Sequence, residues 1–297
     1  MGSLGIRSLC DSPHISNIEV MRSFKASIEE YKIVCQSENV TEFLPYVRND
    51  KGTCSILCVS PYHGRSFVLK RSGEDCWIIG KGNGLSYTTH PYILTSHVNG
   101  ETWGRLTIDN ALRDFRIGNE IRNLGVKTNI MRGVLALDRE IIQDGKQKQA
   151  ALLQYSVECP YRISDFGFIP QTELCRYVSK WDGSPSHKHL YAAEVLVRNL
   201  RLLHDHHVMH NAMHPQNYTW ALELLDFEAS RTDTYPYDNP DYEAYVPILL
   251  EAEIVQTYEI INYIAWCLGE TSVYPVVESI FANYGYRLNE LKQNESI

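Results

Sequence analysis

The spacing of apolar residues changes along this 297-residue chain, and the order of the changes restricts the fold more than any other feature. Short, partly β-branched runs come first, at residues 54–59 (CSILCV), 66–70 (SFVLK) and 76–80 (CWIIG), with turn residues between them. The break at residues 71–75 reads as a hairpin turn. Over residues 108–124 the step becomes three or four, through Ile108, Leu112, Phe115, Ile117, Ile121 and Leu124. That spacing predicts an amphipathic helix, capped by Asp109 or Asn110 and terminated by Gly125. Strand-like runs return at 132–137 and 150–157, and helical patterns follow at 190–203, 247–268 and 273–284. One helix enclosed by strands, then a train of helices, predicts an α+β chain of two lobes. The first lobe is small and β-rich with one helix, and the second is larger and mainly helical.

Composition removes several functions. A formal net charge of -8 argues against a dedicated nucleic-acid binder, which needs a basic face. No run approaches the ~18 apolar residues of a membrane helix, and the first residues lack an apolar stretch of secretory length. The expectation is a soluble, cytoplasmic chain with neither a membrane nor a nucleic-acid partner. Its eight scattered cysteines are expected to be reduced.

The two-lobed layout is that of a protein-kinase-like fold, whose site has identifiable parts. A strand lysine neutralises phosphates, a helix glutamate holds that lysine, and an Asn and an Asp in the second lobe hold Mg²⁺. Residues 210–217 read HNAMHPQN, and Asp226-Phe227-Glu228 begins nine residues beyond Asn217, preceded by Leu224-Leu225. This resembles the H-x-D-x-x-x-x-N loop and the D-F-G or D-F-E segment of kinases and small-molecule phosphotransferases. Asn217 and Asp226 are then the candidate metal ligands. Ala212 stands where a phosphotransferase has its Asp, so the usual proton acceptor is missing. Asp165-Phe166-Gly167 spells D-F-G outright but precedes the loop, and reads as a linker turn. Two lysines end strand-like runs, Lys70 and Lys81, and Glu120 lies on the candidate helix.

These residues also resemble the selenoprotein O pseudokinases, a family of kinase-like fold that binds ATP in a flipped orientation and transfers AMP to protein hydroxyls. Lys81-Gly82-Asn83-Gly84, followed by Ser86-Tyr87-Thr88, is similar to the family's L-K-G-x-G strand end and its aromatic-Ser segment. Residues 113–128 (RDFRIGNEIRNLGVKT) are similar to its R-E-(F/Y)-L-x-S-E-A-x-x-x-L-G-I-P-T helix. The resemblance implies that Lys81 is the phosphate lysine, that Glu120 is its partner, and that Gly82 and Gly84 line the nucleotide. It also places Arg162 on the second of two phosphate arginines, with Tyr155 at the first. His210, Met213 and Asn217 match the family's H-G-x-M-x-x-D-N loop, but Gln216 stands where the family has a catalytic Asp. The resemblance spans roughly residues 77–230, and the chain is shorter than a typical member.

Other patterns compete less well. His204, His206, His207, His210 and His214 crowd together, but no Cys or carboxylate at zinc spacing completes a site. The tyrosine-rich segment 235–245 is an activation-segment equivalent, a docking surface or a packed loop. The expected organisation is an extension over 1–50, a first lobe over 51–158 and a second over 159–297. The expected function is that of an ATP-dependent transferase using Mg²⁺ or Mn²⁺, moving AMP to a protein or peptide. The catalytic set is Lys81, Glu120 and Gln216. The alternatives are a phosphotransferase acting on a small molecule or peptide, and a nucleotide-binding pseudokinase scaffold without turnover.

Overall fold

The computed structural model describes residues 22–38, 40–58, 65–71, 76–84, 104–182, 187–236 and 241–288. The expected hairpin turn at 71–75, the 86–88 segment and part of the tyrosine-rich run therefore lie largely outside the described residues.

The first lobe is one antiparallel sheet. Its strands are β1 (Arg22–Ile28), β2 (Tyr31–Gln36), β3 (Tyr46–Arg48), β4 (Cys54–Cys58), β5 (Ser66–Arg71), β6 (Trp77–Lys81), β7 (Leu106–Thr107), β8 (Ile130–Gln143) and β9 (Lys146–Val157). They run in the order β2-β8-β9-β6-β5-β4-β1-β3, with β7 pairing β9. The apolar runs anticipated at 54–59, 66–70, 76–80, 132–137 and 150–157 fall on β4, β5, β6, β8 and β9. β9 is buried along its second half because both faces are covered, which explains its unbroken apolar run from Ala150 to Leu153. Residues 22–48 add three strands to this same sheet.

Helix α1 (Ile108–Asn123) crosses between β6 and β8 and buries Ala111, Asp114, Phe115, Ile117, Gly118 and Ile121. Its cap is Thr107, whose hydroxyl accepts from the Asn110 N–H at 3.3 Å, rather than Asp109 or Asn110. Threonine fits the role because its extended backbone leaves the side-chain oxygen facing the first free N–H groups. Gly125, at φ +88°, ends the helix as its position implies.

The second lobe holds α2 (Gln171–Val178), α3 (Lys188–Asp205), α4 (Tyr242–Cys267) and α5 (Tyr274–Asn283). α4 begins five residues before Pro247, so that proline lies inside the helix instead of opening it. Trp220 is fully buried, stacked on Trp181 with ring centroids 6.1 Å apart and tilted against Phe166 at 6.2 Å. Phe166 belongs to the D-F-G sequence at 165–167, whose Asp165 ends the short 3-10 turn Ile163–Asp165. The core is continuous between the lobes, with Ile117, Ile121, Met131 and Phe227 in one cluster. Among the described residues, the strand order, the helix between β7 and β8 and the helical lobe beyond β9 together make a two-lobed kinase-like fold.

Gly82 sits at the joint of this arrangement. Its φ is +96°, and a Cβ there would lie 2.6 Å from the Ala151 carbonyl oxygen of β9. Gly82→Ala combines left-handed backbone with a backbone clash, and is expected to cost about 2–3 kcal/mol, measured as a lowered urea midpoint at unchanged m-value.

Candidate functional site

β6 delivers Lys81 to the lobe interface at the end of an apolar strand, and its side chain is only 3% exposed. An ammonium so far from water needs compensation. Lys81 Nζ lies 2.6 Å from Asp114 Oδ2, 2.7 Å from Asp226 Oδ1 and 2.5 Å from Glu228 Oε1. Arg65, just before β5, reaches the same group: Nη2 lies 2.8 Å from Glu228 Oε1 and 3.9 Å from Asp226 Oδ2. Burial opposes the charge on Lys81, but the three carboxylates outweigh it and hold the ammonium above its ordinary pKa. Burial likewise works against ionised Asp226, yet Lys81, Arg65 and Arg162 hold that carboxyl well below the usual range. At Asp114 burial prevails, and its carboxyl is raised despite Lys81.

The helix partner of Lys81 is therefore Asp114 and not Glu120. Six residues separate them, which turns the side chain roughly 120° around the helix. Glu120 instead accepts from the Thr232 hydroxyl at 3.2 Å. Asp114 also receives the Phe227 N–H on Oδ1 at 3.1 Å, so one carboxylate ties the lysine to the D-F-E segment. One turn along the same face, Gly118 leaves room for the Phe227 ring and the Met131 methyl, both of which a Cβ would strike. Beside Asp114, Arg113 binds the carbonyls of Glu228 at 3.0 Å and Ser230 at 2.5 Å.

Asp226 has φ +68°, which turns its carboxylate back toward Lys81 against the preference of a non-glycine residue. Its neighbour Leu225 is fixed on both sides: its carbonyl faces His210 Nε2 at 2.9 Å, and its N–H reaches the Asn217 carbonyl at 2.9 Å. The Asn217 side chain donates to the Ala212 carbonyl at 2.9 Å and accepts from Arg162 at 3.4 Å. Arg162 also binds the Gln216 carbonyl at 2.7 Å, so it braces the loop that carries Asn217. The N–H groups of Gly82 and Gly84 are bonded to the carbonyls of Arg65 at 2.7 Å and Gly104 at 2.8 Å. These glycines make a turn in the chain, and their N–H groups are committed within the protein. Lys70, the other candidate lysine, lies on β5 with its backbone opposite Ile78. The histidines separate: His204 faces Glu253 at 3.1 Å and Tyr286 at 3.0 Å, His207 faces Asp233 at 3.3 Å, and His210 faces the Leu225 carbonyl. Among the described residues, the side chains placed to share a cation are Asp114, Asp226 and Glu228.

Where the chain leaves β9 for the second lobe, a buried carboxylate caps it. Glu223 accepts from the N–H groups of Glu158 at 2.9 Å and Cys159 at 3.3 Å, and from the Thr219 hydroxyl at 2.9 Å. Despite these donors, burial pushes its carboxyl up to about 7.

No family model matches the chain, and no curated protein matches it. Among solved structures it is similar to the kinase PK-1 of Cydia pomonella granulovirus, at 14% identity and a TM-score of 0.32, covering 78% of this chain and 68% of that one. It is also similar to a rhoptry antigen kinase domain of Toxoplasma gondii, at 12% identity and 0.34, over 82% and 83% of the two chains. A third is an Stt7 homolog from a Micromonas alga, soaked with ATP, at 13% identity and 0.39, over 96% and 81%.

Two measurements test this geometry. Asp114→Ala, which strips a buried ammonium of one partner and frees the Phe227 N–H, is expected to cost about 3 kcal/mol in urea unfolding, against less than ~1 kcal/mol for Glu120→Gln. For Glu223, the native state holds a proton that the unfolded chain has released between roughly pH 4.5 and 7, so its contribution falls as pH rises through that window. Glu223→Gln is expected to gain about 2–3 kcal/mol relative to wild type between pH 5 and pH 8. A difference that does not change with pH would remove the assignment.

Proposed function

We propose that the chain binds ATP with a divalent cation between its lobes and transfers AMP from it to a protein or peptide hydroxyl, with pyrophosphate as the leaving group and the hydroxyl proton lost to solvent. The observation that carries the nucleotide site is the convergence of the Lys81 ammonium on the carboxylates of Asp226 and Glu228, with Asp114 holding all of it to α1. Hard oxygen donors within 4.8 Å of one another suit Mg²⁺ or Mn²⁺. Asp226 and Glu228 would hold such an ion, with Asn217 as the further candidate, and the ion would neutralise phosphate charge. Lys81 then bears on the phosphates, and Arg162 keeps Asn217 and Gln216 in place beside them.

AMP as the transferred group is supported by the resemblance of residues 81–84, 113–128 and 210–217 to the selenoprotein O family. Asp114 occupies the first acidic position of that helix pattern, immediately after Arg113. A second reading, nucleotide binding without turnover, is favoured by one observation: Ala212 and Gln216 leave the loop without a carboxylate to take a proton. Transfer with a loose transition state depends more on positioning and electrostatics, and tolerates that loss better than acyl transfer does.

Incubation with ATP labelled at the α- or the γ-phosphate, in Mg²⁺ and in Mn²⁺, separates the readings. Label incorporated from the α position alone is the expected result, and Asp226→Asn is expected to abolish it. Label from the γ position alone would make the chain a phosphotransferase. A thermal shift by ATP without incorporation would make it a pseudokinase, and the absence of both would overturn the nucleotide site.

A further inference from the structure

Arg65 lies outside the kinase-like motifs of the sequence. Its backbone is fixed beside Lys81: its carbonyl accepts the Gly82 N–H at 2.7 Å, and the next residue, Ser66, pairs with Lys81 in the ladder. Its side chain is the more exposed of the two, 36% against 3% for Lys81. The guanidinium spans the Glu228 carboxylate, with Nη2 2.8 Å from Oε1 and Nη1 donating to Oε2 at 3.3 Å. It also approaches Asp226 Oδ2, the oxygen turned away from Lys81, at 3.9 Å. Arg65 thus covers the more exposed carboxylates of the cluster, those of Asp226 and Glu228, at 24% and 15% exposure against 2% for Asp114. A divalent cation would need those same oxygens.

The contacts define the competition. Three carboxyl groups, those of Asp114, Asp226 and Glu228, meet two cations, Lys81 and Arg65. A divalent ion arriving alone must displace a guanidinium that already spans the Glu228 carboxylate. A polyphosphate offers that guanidinium a new acceptor, because the planar fork that spans a carboxylate also spans two phosphate oxygens. We propose that Arg65 is a carboxylate-to-phosphate switch: it occupies Glu228 and Asp226 in the absence of nucleotide, and moves to the phosphates when nucleotide binds, so that the metal ion enters with the nucleotide and not before it. This inference rests on the nucleotide site proposed above and adds the order of assembly.

The test is Mn²⁺ binding, followed by the electron paramagnetic resonance signal of free Mn²⁺, with and without AMP-CPP, an ATP analogue whose α–β bridge is a methylene group and resists the cleavage that AMP transfer requires. Wild type, Arg65→Gln and Arg65→Lys are compared, with thermal melting as the check on folding. Without nucleotide, Arg65→Gln is expected to bind Mn²⁺ about tenfold more tightly than wild type, since the competing cation is gone. With the analogue present, that advantage is expected to disappear. Arg65→Lys, which keeps the charge and loses the fork, is expected to fall between them, and it carries the test if the glutamine variant melts early. Equal Mn²⁺ affinity of wild type and both variants without nucleotide would overturn the switch, while nucleotide-dependent Mn²⁺ binding would leave the site standing. No Mn²⁺ binding in any protein, even with the analogue, would overturn both.

Discussion

An ammonium with 3% of its side chain exposed cannot remain charged unless its partners come to it, and at Lys81 they come from three places. The strand β6 supplies the lysine, α1 supplies Asp114, and the segment after Leu225 supplies Asp226 and Glu228. Removing water from so many charges is costly, so the cluster adds little net stability. What it contributes is position. Sheet, helix and second lobe are held in the one arrangement in which every charge finds an opposite. The apolar packing around Ile117, Met131 and Phe227 supplies cohesion but would tolerate more than one register.

Much of this was legible in the sequence, for reasons that can be stated residue by residue. Lys81 and Asp226 both follow short apolar runs that read as strands, and the order of strand, helix and helices is a matter of period alone. Asp114 was not legible by that reasoning, because on a helix the choice among acidic residues depends on which face turns inward. Ala111, Asp114, Gly118 and Ile121 make that face, and a glycine in such a row gives no apolar signal. Glu120 matched the longer family pattern and lies on the other side. Arg65 carries no periodic signal at all, since it sits where a turn gives way to a strand. Gly82 and Gly84 look like a phosphate cradle in one dimension, whereas their N–H groups are taken up by Arg65 and Gly104.

The loop around His210 shows a similar division. Its scaffold is complete: His210 faces the Leu225 carbonyl, Asn217 holds the Ala212 carbonyl, and Glu253 of α4 accepts the Asn211 N–H at 2.6 Å. Its sequence departs from the families it resembles, with Ala212 and Gln216 in the two places where they have carboxylates. A loop can be held rigidly without its reactive group because backbone geometry and side-chain chemistry are set by different residues.

The contacts of α1 with the D-F-E segment have a mechanical meaning. Asp114 holds the Phe227 N–H, Gly118 seats the Phe227 ring, and Arg113 holds the carbonyls of Glu228 and Ser230. Helix and segment are thereby geared together: a rotation of α1 about its axis drags the Asp226 and Glu228 carboxylates with it. Any force applied to the solvent side of that helix arrives at the Asp226 and Glu228 oxygens as a displacement, with no intervening element to absorb it.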